Sequence, residues 1–334
     1  MKISLFQKPV RLLGFVAAVQ VLAVGLAFTG CHGNNESTPV YHSNASSVFV
    51  YNGNVYVAGN IWPLEEPAPG WVADSKRIIW KNGTILFQSN PQAYSSANSV
   101  FATDADVFFG GGEGLWAGLW KNNVPLLYEK PCSAFNSIFV SDGDVYAAGW
   151  LADRPHFPRT AMLVKNGEAQ YFSESDKSTE ANSVFVLNGS VCVAGNCGLA
   201  AVVWKDGAME YLYLPDSAIG SATATSVYVS DDDVYVAGSI EGNAVLWKNG
   251  AKQSLASGNQ SDAKSVFVFG TDVYVAGSIE GNAVLWKNGV KQSLASGNQS
   301  DAKSVFVFGT DVYVAGSIEG NAVLWKNGVK QELQ

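Results

Sequence analysis

From residue 46 onward, apolar residues come in short runs broken by Gly, Asn and Asp, and no stretch holds a sustained helical period. The runs fall into three landmarks. The first is SVFV at Ser47, with counterparts at Ser99, Ser137, Ser183, Ser226, Ser265 and Ser304. The second is VYVAG at Val55, with counterparts at Val107, Val145, Val191, Val234, Val273 and Val312. The third is WKNG at Trp80, with counterparts at Trp120, Val164, Trp204, Trp247, Trp286 and Trp325. Each occurs seven times, in one order. Turns such as Tyr51-Asn52-Gly53-Asn54 and the Asn-Gly of WKNG join neighbouring runs, because Asn and Gly tolerate the positive φ of tight hairpins. Each unit is therefore predicted to hold four antiparallel strands. The fourth is short, around Leu86, Leu126, Tyr171, Leu212, Leu255, Leu294 and Leu333.

The repetition sharpens toward the C-terminus. Residues 238–276 and 277–315 differ only at Ala251 and Val290, and 316–330 begin the same unit again. Four-stranded antiparallel units at a period near 40 residues are propeller blades. A lone blade exposes both faces, so the ring must close to bury a core. The expected fold is all-β: a seven-bladed β-propeller over 46–334, with the first strand of each blade innermost. A linear β-solenoid is the alternative. The ring is expected to close by packing of blade one on blade seven, without strand exchange.

The second strand, Val-Tyr-Val-Ala-Gly, resembles that of kelch blades. The unit is similar to the VYVAG/WKNG repeats of uncharacterised bacterial surface lipoproteins. Ala-Gly stands where kelch has a Gly pair, which only Gly110-Gly111 keeps, and the unit is shorter. The resemblance implies a propeller and carries no kelch partner or activity with it.

Ahead of the repeats, Lys2, Lys8 and Arg11 precede the 17-residue apolar stretch 12–28 and then Thr29-Gly30-Cys31. That is a secretory layout. With a Cys after a small residue, 1–30 reads as a lipoprotein-type signal peptide and Cys31 as the lipidated first residue of the mature chain. An ordinary signal peptide or an uncleaved anchor is the plainer alternative. The polar segment 31–45 reads as a flexible tether. The expected location is the bacterial cell envelope, at the outer membrane or its periplasmic face, held by a lipid anchor only. Removing the signal takes formal net charge from −8 to −11, because it carries three basic residues and no acid. An acidic domain repels phosphate backbones, so nucleic acid is not expected as a partner.

Candidate chemistry is sparse. The histidines are His32, His42 and His156, and nothing marks a nucleophile for a catalytic triad. No catalytic residue, metal site or cofactor is expected. The first-strand serines recur with the blade and read as backbone hydrogen-bonding groups. Asp231, Asp232 and Asp233 read as solvated turn acids rather than a calcium loop. Cys192 and Cys197 either pair or remain small buried thiols.

The tryptophans say more. Six of the ten belong to the WKNG landmark, but Trp62, Trp71, Trp116 and Trp150 fall between second and third strands in blades one to three. The insertions 60–77 and 150–160 lie there too, whereas blades five to seven have only Ser-Ile-Glu-Gly-Asn. In a meander these connections share a face with the blade-to-blade crossings. That face is expected to carry the ligand site: Trp62, Trp71, Trp116 and Trp150 with Glu65, Arg154, His156 and Arg159. Aromatic platforms beside hydrogen-bonding groups suit a glycan, or a cell-surface protein. The residue before each first-strand serine, including Asn98, Asn136, Asn182, Lys264 and Lys303, is expected to line the channel mouth, with Lys264 and Lys303 beside the acids Asp262 and Asp301. A non-catalytic binding module for glycan is the leading reading. A scaffold with no small ligand, and a glycosidase or lyase using two carboxylates among Glu65, Glu66, Glu113 and Asp153, are the others.

Overall fold

Hairpins form where left-handed backbone is cheap. In the computed structural model, Asn52 and Gly53 have φ of 47° and 73°, and Tyr51 pairs with Asn54 across them. Positive φ at both central residues is type I′ geometry, which matches the twist of the flanking strands. The structure describes residues 41–64, 74–154, 157–215, 220–256, 260–296 and 299–334.

Seven antiparallel sheets follow, each a meander of four strands in chain order, at 41–88, 96–131, 133–172, 179–213, 222–254, 261–293 and 300–332. They are the seven blades of a β-propeller. Blade one carries one extra strand, Gln92–Ala93, on its third strand. The fourth strands of blades five to seven start at the turn (Ala251–Ser254, Val290–Ser293, Val329–Glu332), so Leu255, Leu294 and Leu333 lie just past them and cap the neighbouring cores.

Seven apolar clusters hold the ring, one at each blade-to-blade interface. Trp80, Trp120, Trp247, Trp286 and Trp325 are at most 2 % exposed, each packed against the preceding blade. The Gly of VYVAG is fixed by crowding. A Cβ on Gly277 would lie 1.9 Å from the Asp262 carbonyl oxygen and 3.0 Å from the Trp286 ring. The same carbonyl approach, at 1.9–2.0 Å, recurs at Gly59, Gly111, Gly149, Gly195, Gly238 and Gly316.

The first strand of blade one begins earlier than expected. It runs Tyr41–Tyr51, so residues 41–45 belong to the ring and not to the tether, and His42 lies in a strand. Ser43 explains why. Its N–H donates to the Gly320 carbonyl (2.7 Å), and its Oγ accepts from the Ala322 N–H (2.8 Å). Ser261 and Ser300 make the same pair of contacts to the blades before them. The ring closes there by packing of blades one and seven, and each keeps its own four strands.

Candidate functional site

Backbone hydrogen bonds fix one face of the ring. The start of each first strand lies beside the preceding blade's connection between second and third strands: Ser133 N–H to Leu115 O, Thr179 N–H to Arg159 O, Ala222 N–H to Leu199 O and Ser43 N–H to Gly320 O, at 2.7–3.0 Å. The connections of blades two, three, four and seven therefore open on this face.

The predicted residues divide into separate places on it. Trp150, half-buried in Asp144–Leu151, lies under the Arg159 guanidinium at 3.8 Å. Arg159 Nη1 is 2.7 Å from Glu180 Oε2, and Asn136 Nδ2 donates to Glu180 Oε1 at 3.2 Å. This makes one connected group of an aromatic face, a cation, a carboxylate and an amide across blades three and four. Arg154 stands apart, over the Phe157 ring at 4.6 Å. Trp62 is the next-to-last residue of the second strand of blade one, with its ring 5.8 Å from that of His42. Trp116 opens the third strand of blade two and is 45 % exposed. Among the described residues no ring contact joins Trp62, Trp116 and Trp150. Trp71, Glu65, Glu66, His156 and Cys31 lie outside the described residues.

One group on this face was not foreseen. Arg77, only 8 % exposed, places its guanidinium 4.1 Å over the Trp120 ring and 3.3 Å from Glu113 Oε2. The Tyr128 hydroxyl donates to the same carboxylate oxygen. Glu113 is thus engaged in a structural pair. The only sequence signal was Arg77 standing at a third-strand position where the other six blades have Ala.

The channel-mouth column is a column of β-bulges. The register shifts in every blade at one place, with Ser46, Asn98, Asn136, Asn182, Thr225, Lys264 and Lys303 as the extra residue. These side chains are half-buried, and five of them reach to the next blade. Asn98 donates to Phe135 O, Asn136 to Ala181 O, Asn182 to Ala224 O and Thr225 to Ala263 O, at 2.6–3.1 Å. Lys264 binds both oxygens of Asp301 at 2.6 Å, across the interface, and not Asp262 in its own strand. Burial pushes the Lys303 ammonium below its usual range, against the opposing pull of Asp301.

Two further rings lie on the first strands. The serine hydroxyls accept from the next blade's backbone, as Ser47 Oγ does from Val100 N–H and Ser304 Oγ from Val48 N–H across the seam, and all seven such bonds are present. The aromatics Phe49, Phe101, Phe139, Phe185, Tyr228, Phe267 and Phe306 form a closed chain, with ring centroids 4.2–5.3 Å apart. Burial there pushes the Tyr228 phenol up to about 12. The channel is lined by packed aromatic rings at this level.

The remaining candidates are structural. Asp233 is held by Lys248 (2.7 Å) and the Asn249 amide. Cys192 and Cys197 are free and buried in different interfaces. They are an odd number of residues apart on one strand, so their side chains leave opposite faces.

No family model and no curated protein matches this chain. Two of the similar solved structures are described as β-propeller domains. The β-propeller domain of Myceliophteria thermophila Cps50 (Swd1) aligns with a TM-score of 0.51 at 11 % identity, over 86 % of this chain and 99 % of that one. The propeller domain of the Pyrococcus furiosus Trilobed protease, described as having an open velcro topology, aligns at 0.48 and 11 % identity, over 88 % and 98 %. Pyrococcus horikoshii acylaminoacyl peptidase aligns at 0.47 and 13 % identity over 87 % of this chain, which spans about half (52 %) of that enzyme. At 11 % identity the likeness to the Cps50 domain shows the fold alone.

Proposed function

We propose that the protein is a non-catalytic binding module of the bacterial cell envelope, anchored by lipid on Cys31, that takes a glycan on the loop face of blades one to three. One observation carries this reading: the chemical asymmetry of that face. Trp150 with Arg159, Glu180 and Asn136 sets an aromatic surface beside charged and amide groups, and Trp62 and Trp116 add two more aromatic surfaces. Sugar rings stack their apolar faces on such platforms while their hydroxyls take polar partners. Blades five to seven offer little to compare. There Asn243, Asn282 and Asn321 donate to the carbonyls of Glu241, Glu280 and Glu319 within the same turns.

The scaffold reading keeps the same face and replaces the glycan with a protein. The glycosidase or lyase reading has less support, since Glu113 is tied to Arg77 and Tyr128. A glycan array probed with the whole protein tests the proposal. Binding to a saccharide class, lost on Trp150→Ala and Arg159→Ala with the melting temperature kept, supports it. A blank array with capture of one envelope protein by the same face supports the scaffold instead.

A further inference from the structure

Exposed large apolar side chains gather on the loop face of blades one to four. Tyr41, Leu64, Leu115, Trp116, Phe157 and Leu199 are each 43–48 % exposed, and each lies at the start of the ring's first strand or in or beside a connection between second and third strands. The equivalent turns of blades five to seven present Glu241, Glu280 and Glu319 instead. Single exposed apolar residues need no explanation, and others such as Val124, Val290 and Val329 stand on the outer fourth strands, but six beside the turns of one part of one face mark an interaction surface. Aromatic and leucine side chains at turn tips are the kind that settle at a membrane–water interface.

The chain enters the ring on this same face. Tyr41 pairs with Pro63, at the end of the second strand, and Ser43 bonds Gly320 in the corresponding turn of blade seven. Cys31 precedes Tyr41 by ten residues, a contour of at most about 35 Å. The apolar stretch 12–28 lies just before it. Tyr41, the first residue of the ring, thus lies on the face that carries the apolar side chains.

We infer that this face docks on the bilayer that holds the chain's own anchor, with the turn tips of blades one to four in the headgroup layer. The inference rests on the anchored reading above. A short tether keeps the face at high local concentration over the lipid, so shallow contacts are enough. The acidic turns of blades five to seven oppose an anionic surface, which tilts the ring onto its apolar side. A saccharide bound beside Trp150 is then one presented at the bilayer surface.

The test uses the full chain reconstituted in phosphatidylcholine vesicles with brominated acyl chains. Flotation with the vesicles reads the anchor, and quenching of tryptophan emission reads the face. Docking predicts flotation with quenching, and loss of most of that quenching in Leu115→Glu/Leu199→Glu, which should still float. Trp116→Phe should lower the quenching without changing flotation. Flotation with unquenched emission, or quenching indifferent to these variants, overturns the docking and leaves the anchor standing. Quenching that appears only when a glycolipid is added makes a saccharide the occupant and also overturns it. Absence of flotation overturns the anchored reading and the docking together.

Discussion

At the interface of blades two and three, three positions depart from the repeat together. Val164 replaces the landmark Trp, Phe135 stands where the other six blades have Ala, and Gly110 stands where they have Ala. The structure puts them in one place. Phe135 and Val164 share a cluster and are at most 1 % exposed, and a Cβ on Gly110 would come 2.6 Å from Ile138 Cγ2 and 3.5 Å from Phe135 Cβ. Phe135 fills the volume the missing indole leaves, and Gly110 makes room for the shift. Phe135→Ala should cost about 3–5 kcal/mol by opening a cavity. Val164→Trp alone should cost about 1–3 kcal/mol by overpacking. Together they restore the pattern of the other interfaces, so urea unfolding of the double variant should show a favourable coupling of about 1–3 kcal/mol. Additive losses would mean the two side chains do not share that volume.

At the scale of the strand and hairpin, the landmarks were legible because their logic is local. Turn residues, alternation and spacing all act within one blade. The reason for the Asp before VYVAG and the Lys and Asn of WKNG emerges only when the strands are paired. Asn288 Oδ1 accepts from Val273 N–H at 2.8 Å, its amide donates to Asp272 at 2.7 Å, and Lys287 Nζ lies 2.8 Å from Asp272 Oδ2. The lysine first, and then the asparagine amide, hold the Asp144, Asp233, Asp272 and Asp311 carboxyls below their usual range. Their folded pKa values therefore lie below the unfolded value of about 3.9. Whatever stability they add is present above that pH and lost as pH falls through the folded values. Melting temperature should accordingly drop below about pH 4. The drop should be shallower when the four are changed to Asn. An unchanged acid slope would assign acid sensitivity to other groups. The effect should be small, since these pairs face solvent.

For the whole molecule, the repeat gave blade number and face but not what joins blades. The serine ring, the bulge contacts and the aromatic chain each link residues about one blade apart, and a periodic sequence does not say which neighbour a side chain will meet. The seam shows the cost of that blindness. Residues 41–45 carry the polar look of a tether, yet Ser43 does for blade seven what Ser300 does for blade six. Ser43→Ala leaves the Ala322 amide without its acceptor and should cost about 1–3 kcal/mol. Faster hydrogen exchange at Ala322, with Ala283 unchanged, would locate the loss at the seam; equal change at both would disprove a local clasp.

The candidate site was legible as a face and not as a constellation. Insertions and tryptophans marked blades one to three, but the pairing of Glu180 with Arg159 over Trp150, and of Arg77 with Trp120, emerges only on packing. The proposed function stands on the claim that these unlike blades, and not the nearly identical ones, hold the ligand. Calorimetric titration with the saccharide that binds best on a glycan array tests this most directly. One ligand per chain, with affinity reduced roughly tenfold or more by Trp150→Ala for each 1.4 kcal/mol lost and unchanged by Glu280→Ala/Asn282→Ala, is the expected result. Three or more equivalent sites, indifferent to Trp150 and lost with Glu280 and Asn282, would contradict it.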